Sequence, residues 1–569
     1  MSWKTVKAMK YYMGIVGLGD HDAAAAIVDE YGNVLAAAEE ERYTRVKFDP
    51  SFPINSIKFC LKRSGIELKD ITAIGFYLDP RLFAWKKFKF AINNLNHLPG
   101  LIKKSKKFKK FLEIEKIIRS TLGFNGPIEL LQHHLCHASS VFFASPFTEA
   151  TIISIDGVGE WETAWIGSGA GKEIKYLEST FWPHSLGEVY AAITQFLGFK
   201  YNSDEYKVMG LSAYGQLSYY DDFKEIIGIG RNRHFVVGKS YFGYPFGKKN
   251  LFSKRFEMLF GEPNLEFKAP SERDKNLAAS LQKRIEDAFC AYVAKAISLT
   301  GIRKLCVTGG VALNCLAIGK LIEKGLADSV FLAPASSDAG CALGAAYHLA
   351  IMNSENFVRT PLKNAYLGDS FSEKEIEGSL KQAGLKYAYH AGKITDITAD
   401  IIAKGNIVGW FQGRTEYGQR ALGARSILAN PMIANMKDIV NAKVKYREPF
   451  RPLAPSVLAE AAEQYFCCDG HTSPFMTHTF KARPDAFDKI PAVIHIDGTA
   501  RVQTVTKEAN GIYYELIKKV GERTGHPVVL NTSFNVKGEP IVNSPLDAIN
   551  CFLKTDLDAL AIGGFLVVK

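Results

Sequence analysis

The sequence predicts an α/β protein built from two domains. At 569 residues the chain is longer than one hydrophobic core usually serves. Short apolar strands that end in glycine or aspartate recur through its first part, starting near residues 14, 150 and 305. Near residue 355 this pattern gives way to a polar linker, and an arginine-rich α/β segment follows. We therefore expect one domain over residues 1–355 and a second over residues 356–569.

Composition limits the class of protein. Hydrophobic residues make up 47% of the chain and charged residues 23%, as in ordinary globular proteins with large cores. The nine cysteines form no CxxC pair, which argues against zinc ribbons and dithiol redox sites and favours a reducing compartment. No uncharged run reaches membrane-spanning length, and the basic start lacks a cleavage signature. The sequence thus predicts a cytoplasmic protein with no membrane span.

Much of the net charge of +11 comes from one segment, residues 86–110. Lysines and aromatic residues alternate there, which predicts an amphipathic helical insertion with a solvated basic face. We favour this interpretation over a surface for RNA or for an anionic membrane, so nucleic acid is not expected as a partner. The lysines are Lys86, Lys87, Lys89, Lys103, Lys104, Lys106, Lys107, Lys109 and Lys110, and the aromatics are Trp85, Phe88, Phe90, Phe108 and Phe111.

Three strands are predicted to open the chain, over residues 14–18, 24–28 and 34–38, after a leading stretch of twelve residues. A meander that turns on a Gly/Asp loop resembles the start of the actin-like ATPase fold, in which the first hairpin faces nucleotide phosphates. A second strand that ends in Asp-Gly begins at residue 150 and returns over residues 163–167. Two such units indicate a duplicated α/β architecture.

Two histidines and two aspartates form a candidate metal site. His133 and His137 are four residues apart in a helix-compatible stretch, so their imidazoles would share one face. Asp156 closes a strand, and Asp338 lies in a glycine-flanked loop before a helix; loops at strand ends converge in α/β sheets. Such a set suits Fe(II), Mn(II) or Zn(II), and spacing alone does not choose among them. A purely structural histidine pair is the alternative.

The sequence signals for nucleotide binding are weaker than those for the metal site. The pair Gly309-Gly310 opens a helix with Asn314 four residues on, which could place backbone amides against phosphate, although such a pair is equally often a tight turn. Lys207 could neutralise polyphosphate or be a surface lysine. No GxxxxGK[ST] motif is present, which excludes a P-loop NTPase.

Arginines cluster among glycines and prolines in the second part of the chain, over residues 413–426 and 441–452 and at Arg501. A strand over residues 528–533 ends in small polar residues. Arginine forks bind phosphate oxygens in bidentate fashion, and asparagine or serine can hold an attached amide. We expect a buried pocket for a small phosphate, with structural salt bridges as the alternative.

Nine segments in order resemble the carbamoyltransferases of the NodU/CmcH type, which include the O-carbamoyltransferases of antibiotic and nodulation-factor biosynthesis. The likeness spans nearly the whole chain. The segments are HDAAAAIV with AAAEEERYTRVKF, HHLCHASS, IDGVGEWE, EYKVMGLSAYG, TGGVALNC, GRTEYGQRALGARSIL, NAKVKYREPFRPLAPSVL, HIDGTARVQTV and VLNTSFNVKGEPIV.

This resemblance implies a duplicated actin-like ATPase domain of the Kae1-like type, followed by a YrdC-like α/β domain. The second domain would bind carbamoyl phosphate and cleave it to carbamate. Carbamate would then attack the α-phosphate of ATP, supplied with Mg²⁺, to give carbamoyladenylate and pyrophosphate. The donor-binding residues implied by the resemblance are Arg420, Lys445, Arg451, Met476, Arg501, Asn531 and Ser533.

The resemblance also assigns roles in the first domain. The metal held by His133, His137, Asp156 and Asp338 is typically iron in the family and would bind nucleotide phosphates. His21 is the expected general base toward the acceptor hydroxyl, with a turn-stabilising role as the alternative, and Lys47 would support the adenylate. The basic segment 86–110 departs from the family pattern, so the small acceptor stays unidentified. A monomer or a homodimer is expected.

Two other enzyme functions and one binding function are alternatives to O-carbamoyl transfer. Synthesis of threonylcarbamoyladenosine on tRNA uses the same two domain types, with the basic segment as a tRNA contact. A hydrogenase-maturation carbamoyltransferase would need paired CxxC zinc fingers, which this sequence lacks. An actin-like binding or chaperone module would leave the arginine-rich segment unexplained.

Overall fold

The computed structural model describes residues 9–19, 21–265 and 268–569, without the side chains of residues 98 and 104–108. The leading stretch expected over residues 1–12 is therefore tested only from residue 9, and residues 1–8 and Asp20 of the first turn lie outside the described residues. The first strand already begins at Tyr11, slightly earlier than predicted.

The described residues contain 21 strands. They are β1 (Tyr11–Val16), β2 (Ala24–Asp29), β3 (Val34–Glu39), β4 (Ile71–Phe76), β5 (Ile128–Leu130), β6 (Glu149–Ile155), β7 (Glu162–Ala170), β8 (Glu173–Phe181), β9 (Ile227–Ile229), β10 (Phe235–Val237), β11 (Lys304–Thr308), β12 (Ser329–Phe331), β13 (Ala388–Tyr389), β14 (Val408–Phe411), β15 (Arg425–Ala429), β16 (Ala454–Leu458), β17 (His478–Lys481), β18 (Thr499–Val505), β19 (Val528–Ser533), β20 (Ala559–Ile562) and β21 (Phe565–Val568).

The same described ranges contain 19 α-helices. They are α1 (Glu41–Thr44), α2 (Ile54–Ser64), α3 (Ala84–Ile92), α4 (Leu98–Leu112), α5 (Ile114–Leu122), α6 (His133–Phe142), α7 (Leu186–Phe196), α8 (Glu205–Leu211), α9 (Tyr220–Ile226), α10 (Lys254–Phe260), α11 (Glu272–Thr300), α12 (Cys315–Glu323), α13 (Ala339–Asn353), α14 (Glu373–Gln382), α15 (Ile394–Ala403), α16 (Met436–Ile439), α17 (Ala486–Lys489), α18 (Gly511–Thr524) and α19 (Pro545–Lys554). In this part of the chain no helix is both long and apolar enough to cross a bilayer.

Two five-stranded sheets repeat one plan. The first has the order β3-β2-β1-β4-β5 and the second the order β12-β11-β6-β7-β8, which is the same sequence of strands read from the other edge. In each sheet the first strand pairs antiparallel with the next strand and parallel with a later one. The duplicated α/β architecture that the two strand-to-Asp units predicted is therefore present.

Small residues let the helices between these sheets approach closely. A Cβ atom on Gly14 of β1 would lie 1.8 Å from the carbonyl oxygen of Ala342, and one on Gly344 would lie 1.8 Å from that of Cys136. Helix α13 therefore fits between β1 and α6 only because glycine and alanine line it. This close packing fixes the start of α6, where the histidines lie, against the start of α13, which follows Asp338.

The C-terminal part is one nine-stranded mixed sheet, in the order β13-β21-β20-β14-β15-β19-β16-β18-β17. Its edge strand β17 packs on α12 of the duplicated part, where the Thr479 hydroxyl donates to the carbonyl oxygen of Cys315 at 3.0 Å. One buried apolar cluster continues from the second five-stranded sheet into this large sheet. The arginine-rich segment is thus held directly against the unit that carries the histidines.

Candidate functional site

The two histidines and two aspartates lie together. The Nε2 atoms of His133 and His137 are 3.1 Å and 2.9 Å from Oδ2 of Asp156. The same nitrogens are 3.7 Å and 3.5 Å from Oδ1 of Asp338. One ligand atom from each of the four residues lies within 4.8 Å of the other three. Two imidazoles and two carboxylates at this spacing are suited to one divalent cation with open coordination positions.

Local structure explains this convergence. The two histidines occupy the first and fifth positions of α6, one helical turn apart. Asp156 follows the last residue of β6, and its Oδ1 accepts the backbone N–H groups of Gly157 at 2.7 Å and Gly310 at 3.2 Å. Because that oxygen is held by the backbone, Oδ2 is left to face the imidazoles.

The outer contacts of the imidazoles differ. His137 Nδ1 lies 3.2 Å from the Thr308 hydroxyl, a contact of the kind that orients metal-bound imidazoles. His134, between the two, turns away to Ser154 and the carbonyl of Glu162, and burial lowers its pKa to about 3. His134 is therefore a neutral structural residue.

The electrostatics of the candidate metal site favour a bound cation. Burial lowers the pKa of His137, but hydrogen bonds to Asp156 and Asp338 outweigh this and raise it to about 9. The pKa of Asp156 is held well below its usual range by the same histidines, against the opposing effect of burial. Positive charge is stabilised at this point, either as protons on imidazole or as a metal ion in their place.

Cys341 is a neighbour that sequence reasoning missed. Its sulfur belongs to a second ligand-sized group with His133 and His137. Burial raises the pKa of the thiol well above its usual value, so the sulfur stays neutral in the protein alone. Its position three residues after Asp338 in α13 is the sequence signal that could have identified it, because residues three apart share a helix face.

His21 lies near the candidate metal site. Its Nδ1 lies 3.4 Å from Oδ2 of Asp22, a residue in the left-handed conformation with φ of 63°. Burial lowers the pKa of His21, but Asp22 and then Asp338 and Asp156 raise it to about 10. The predicted base is therefore within electrostatic reach of the predicted metal ligands.

The predicted nucleotide residues have other contacts. Gly309 is in the left-handed region at φ of 91°, and a Cβ there would lie 2.3 Å from the carbonyl of Ile155. The Gly310 amide is directed to Asp156, while Asn314 caps α12 and pairs with Gln282. These three residues shape the candidate metal site and the helix α12 beside it, and direct phosphate contact by them stays a prediction.

The two lysines of the first domain lie toward the second. Lys207 Nζ is 3.0 Å from Asp204 and 3.6 Å from Glu448 of the arginine-rich segment. Lys47 Nζ lies 5.4 Å from the centre of the Tyr206 ring, and Arg451 Cζ lies 4.6 Å from the centre of that ring. Lys47 is thus next to the predicted donor pocket, with Tyr206 as a shared neighbour.

Five cationic side chains form what we call the cation cluster: Arg420, Lys445, Arg447, Arg451 and Arg501. Burial and then Arg501 lower the pKa of Arg420 to about 9. Burial and then Arg447 lower the pKa of Lys445 well below its usual value. Neighbouring positive charges in a poorly solvated site destabilise one another. A group of buried cations of this kind is typical of a site that binds an anion.

Unpaired donors support the same conclusion. Arg501 Nε and Arg447 Nη2 are buried with no hydrogen-bond partner in the described part of the chain. Lys445 is fixed by Ser533 and by Asn535, whose Oδ1 lies 2.6 Å from Nζ. Leaving buried donors unpaired costs about 1–3 kcal/mol each, so a bound anion would stabilise the pocket.

Asn531 and Met476 complete the predicted set. Asn531 Nδ2 donates to Ser456, to Gln503 and to the carbonyl of Ala421, while its Oδ1 has no partner among the described residues. That oxygen is a free acceptor for an N–H group. Met476 is buried at φ of 57° in a small apolar cluster with Phe475 and Leu422.

Arg447 was missed as a pocket residue, although it lies between Lys445 and Arg451 in the sequence. Arg425 of the arginine-rich segment, in contrast, lies outside the cation cluster and is structural. Arg425 is fully buried and donates to backbone carbonyls such as those of Gln412 and Gly413. The sequence pattern does not separate the two kinds, because the direction of each side chain depends on tertiary packing.

The segment that carries Arg420 also touches the metal-ligand loop. Gln419 donates from Nε2 to the Ser337 hydroxyl, next to Asp338. The Tyr417 hydroxyl donates to the carbonyl of Ala339. Gly418 lies so close to Pro334 that a Cβ would be 2.3 Å from its carbonyl oxygen. A cation cluster joined in this way to a two-histidine, two-aspartate centre is typical of an enzyme that transfers a group from a small anionic donor.

Comparison with known proteins gives the family. The family model described as Carbamoyltransferase N-terminus matches residues 13–347, and Carbamoyltransferase C-terminus matches residues 399–569. The chain belongs to the carbamoyltransferase family and is an enzyme that transfers carbamoyl groups. This membership does not favour the tRNA alternative.

Two relatives are similar to this protein over nearly its whole length. An uncharacterised protein, sll1178, of Synechocystis is 38% identical, covering 96% of this chain and 95% of its own length. Nodulation protein NolNO of Sinorhizobium fredii is 37% identical, covering 96% of this chain and 79% of its own length. Among solved structures, HypF of T. kodakarensis is 14% identical with a TM-score of 0.32, covering 62% of this chain and 49% of its own; this weak likeness carries no functional weight.

Proposed function

We propose that the protein is an ATP-dependent O-carbamoyltransferase that uses carbamoyl phosphate as donor and a hydroxyl of a small molecule as acceptor. One observation supports this most directly: two adjacent residues serve both clusters. Gln419 bonds to Ser337 beside the candidate metal ligand Asp338, and Arg420 lies with Arg501 in the cation cluster. An intermediate formed at one cluster would have a short route to the other.

The cation cluster would bind the donor. Carbamoyl phosphate is a dianion with an amide, and the cluster offers unpaired guanidinium donors together with the free Oδ1 of Asn531. We assign residues 356–569 to a YrdC-like unit on this basis. Hydrolysis of the donor there consumes one water and gives inorganic phosphate and carbamate.

The first unit, residues 1–355, would activate and transfer the carbamate. A carbamate oxygen attacks the α-phosphorus of ATP, pyrophosphate leaves, and carbamoyladenylate forms. The acceptor hydroxyl then attacks the carbonyl carbon, AMP leaves with its oxygen, and the hydroxyl proton passes to a base. Carbamate breaks down readily in water, so an internal route between the two sites would protect it.

His133, His137, Asp156 and Asp338 would hold the metal, and their two-nitrogen, two-oxygen donor set fits iron, manganese or zinc. When bound, a cation there supplies charge neutralisation for nucleotide phosphates and polarises a carbonyl. His21 is the candidate base for the hydroxyl proton. Burial lowers its pKa, but Asp22 and then Asp338 and Asp156 raise it to about 10. A cation held by Asp338 and Asp156 would offset the contribution of those two carboxylates and so favour the neutral imidazole.

The direct test is pyrophosphate release. We expect pyrophosphate and AMP to form only when ATP, carbamoyl phosphate and a divalent metal are all present. His137→Ala should lose both bound metal and pyrophosphate release, whereas Arg483→Ala, which changes a half-exposed arginine outside the cation cluster, should retain both. Pyrophosphate release at the full rate without carbamoyl phosphate would exclude the proposal. Mass spectrometry of carbamoylated products from acceptor pools would identify the acceptor.

A further inference from the structure

The basic segment has two different helix faces. In α3 and the residues on either side of it, one stripe faces the protein: Phe90 packs on Trp161 with ring centres 5.5 Å apart, Phe83 packs on Phe181 at 5.6 Å, and Asn94 is buried. Phe111 at the end of α4 is also buried, near Phe76. These contacts agree with the predicted helical insertion.

The other stripe is apolar and exposed, which the sequence did not predict. Trp85 is 70% exposed, Phe88 55%, Ile92 48% and Leu95 62%. Trp85, Phe88 and Ile92, three and four residues apart, lie on one side of α3, and Leu95 follows in the short 3-10 turn after it. The Trp85 and Phe88 rings lie 5.7 Å apart and form a continuous apolar surface. The solvated face is thus basic and aromatic together.

The segment that carries this stripe has charges of one sign only. Residues 80–112 contain nine lysines and no aspartate or glutamate. Lys86, Lys89, Lys103, Lys109 and Lys110 are exposed. A helix that exposes tryptophan, phenylalanine and aliphatic side chains between lysines has the composition of segments that lie in the plane of an anionic membrane surface.

We propose that residues 83–112 are a docking surface for an anionic lipid bilayer. The apolar stripe would enter the boundary between headgroups and acyl chains, and the lysines would contact anionic headgroups. A bilayer fits better than RNA because Ile92 and Leu95 offer no ring for base stacking. It fits better than a second copy because residues 83–112 contain no acidic residue to complement their own lysines.

Docking would bring the membrane close to the candidate metal centre. Trp161, the partner of Phe90, belongs to the loop between Asp156 and Glu162, and Glu160 in that loop accepts the backbone N–H groups of Asp79 and His133 at 3.0 Å each. If the proposed carbamoyl transfer occurs at this centre, an acceptor held at the bilayer surface would be within reach. This consequence rests on the proposed function, whereas the docking itself does not.

Sedimentation with lipid vesicles tests the docking without any activity assay. The full-length protein should bind mixed phosphatidylcholine–phosphatidylglycerol vesicles and not pure phosphatidylcholine vesicles, and high salt should weaken the binding. Changing Lys89, Lys103 and Lys109 together to glutamate should reduce the affinity on the order of a hundredfold or more, since each lysine contributes about a factor of five. The control changes Lys374, Lys507 and Lys518 to glutamate, which are exposed on the C-terminal part.

A second pair of variants isolates the apolar stripe. Trp85→Ser with Phe88→Ser should lower the vesicle affinity about tenfold or more, whereas Met258→Ser with Leu299→Ser, two exposed apolar residues elsewhere, should not. Thermal unfolding of all variants should match the parent because these side chains are exposed. Salt-dependent binding of RNA without vesicle binding would overturn the proposal, as would a dimer in light scattering that Trp85→Ser with Phe88→Ser dissociates.

Discussion

Gln419 donates a hydrogen bond to the hydroxyl of Ser337 across the boundary between the arginine-rich part and the duplicated part. Ser337 precedes the candidate metal ligand Asp338, and Gln419 precedes Arg420 of the cation cluster. This hydrogen bond links the position of the Asp338 loop to the position of Arg420, together with the bond from the Tyr417 hydroxyl to the carbonyl of Ala339. No comparable link was visible in the sequence, where the two residues are 82 positions apart.

We predict that Gln419→Ala uncouples the two clusters. Phosphate release from carbamoyl phosphate should persist, while pyrophosphate release should fall about threefold to tenfold, as expected for one net hydrogen bond. Ser337→Ala should have the same effect, and the double variant should be no worse than either single one. Additive losses in the double variant would show that the two residues act independently.

Gly310→Ala should disrupt the candidate metal site while leaving the fold intact. A Cβ at this position would lie 2.8 Å from Oδ1 of Asp156, so this carboxylate must move. We expect bound metal, measured by elemental analysis, to drop at least about tenfold with little change in circular dichroism. Gly378→Ala is the matched control, because nothing lies within 4 Å of a Cβ there. Full metal content in Gly310→Ala would argue against Asp156 as a ligand.

Arg501→Ala should abolish the response to anions without unfolding the protein. Inorganic phosphate should raise the thermal midpoint of the parent, since a ligand that binds only the folded state stabilises it. In Arg501→Ala this rise should disappear, while the midpoint without phosphate should be equal or higher because one of the mutually repelling cations is gone. ATP binding should be retained. Equal loss of phosphate and ATP binding would show that one pocket serves both.

Anion affinity should fall as the pH rises through about 9. The pKa of Arg420 is lowered to about 9 and that of Lys445 lies well below its usual value, so raising the pH removes positive charge from the cluster. Phosphate favours the protonated cations, so its binding takes up protons and weakens at high pH. Calorimetry with inorganic phosphate in buffers of different ionisation enthalpy would measure this uptake. Constant affinity from neutral pH to above 9 would contradict the lowered pKa values.

Local sequence patterns predicted several strands and part of the candidate metal site. Alternating apolar runs that end in Gly or Asp located β1, β2, β3, β6 and β11 within a few residues. The four-residue spacing of His133 and His137 placed both imidazoles on one face of α6. The convergence of Asp156 and Asp338 with them followed from the general geometry of strand ends in α/β sheets.

Side-chain direction was harder to predict. Lys207 is paired with Asp204 and Glu448, the Gly310 amide is directed to Asp156, and Lys47 lies by Tyr206 next to the cation cluster. The partners of Lys207 and Gly310 include residues more than 150 positions away in the sequence. Composition near a residue says little about which distant group it meets.

The amino-acid sequence alone determined the class of fold, the duplicated plan of strands, the four residues of the candidate metal site and the family. Periodicity, helix spacing and motif order are local properties of the chain, and they do not depend on how distant segments pack. Only the tertiary structure decided that Arg447 joins the cation cluster while Arg425 is structural, that Gln419 meets Ser337, and that Trp85 and Phe88 face outward. Those outcomes depend on contacts between residues far apart in sequence, which packing of the whole molecule selects.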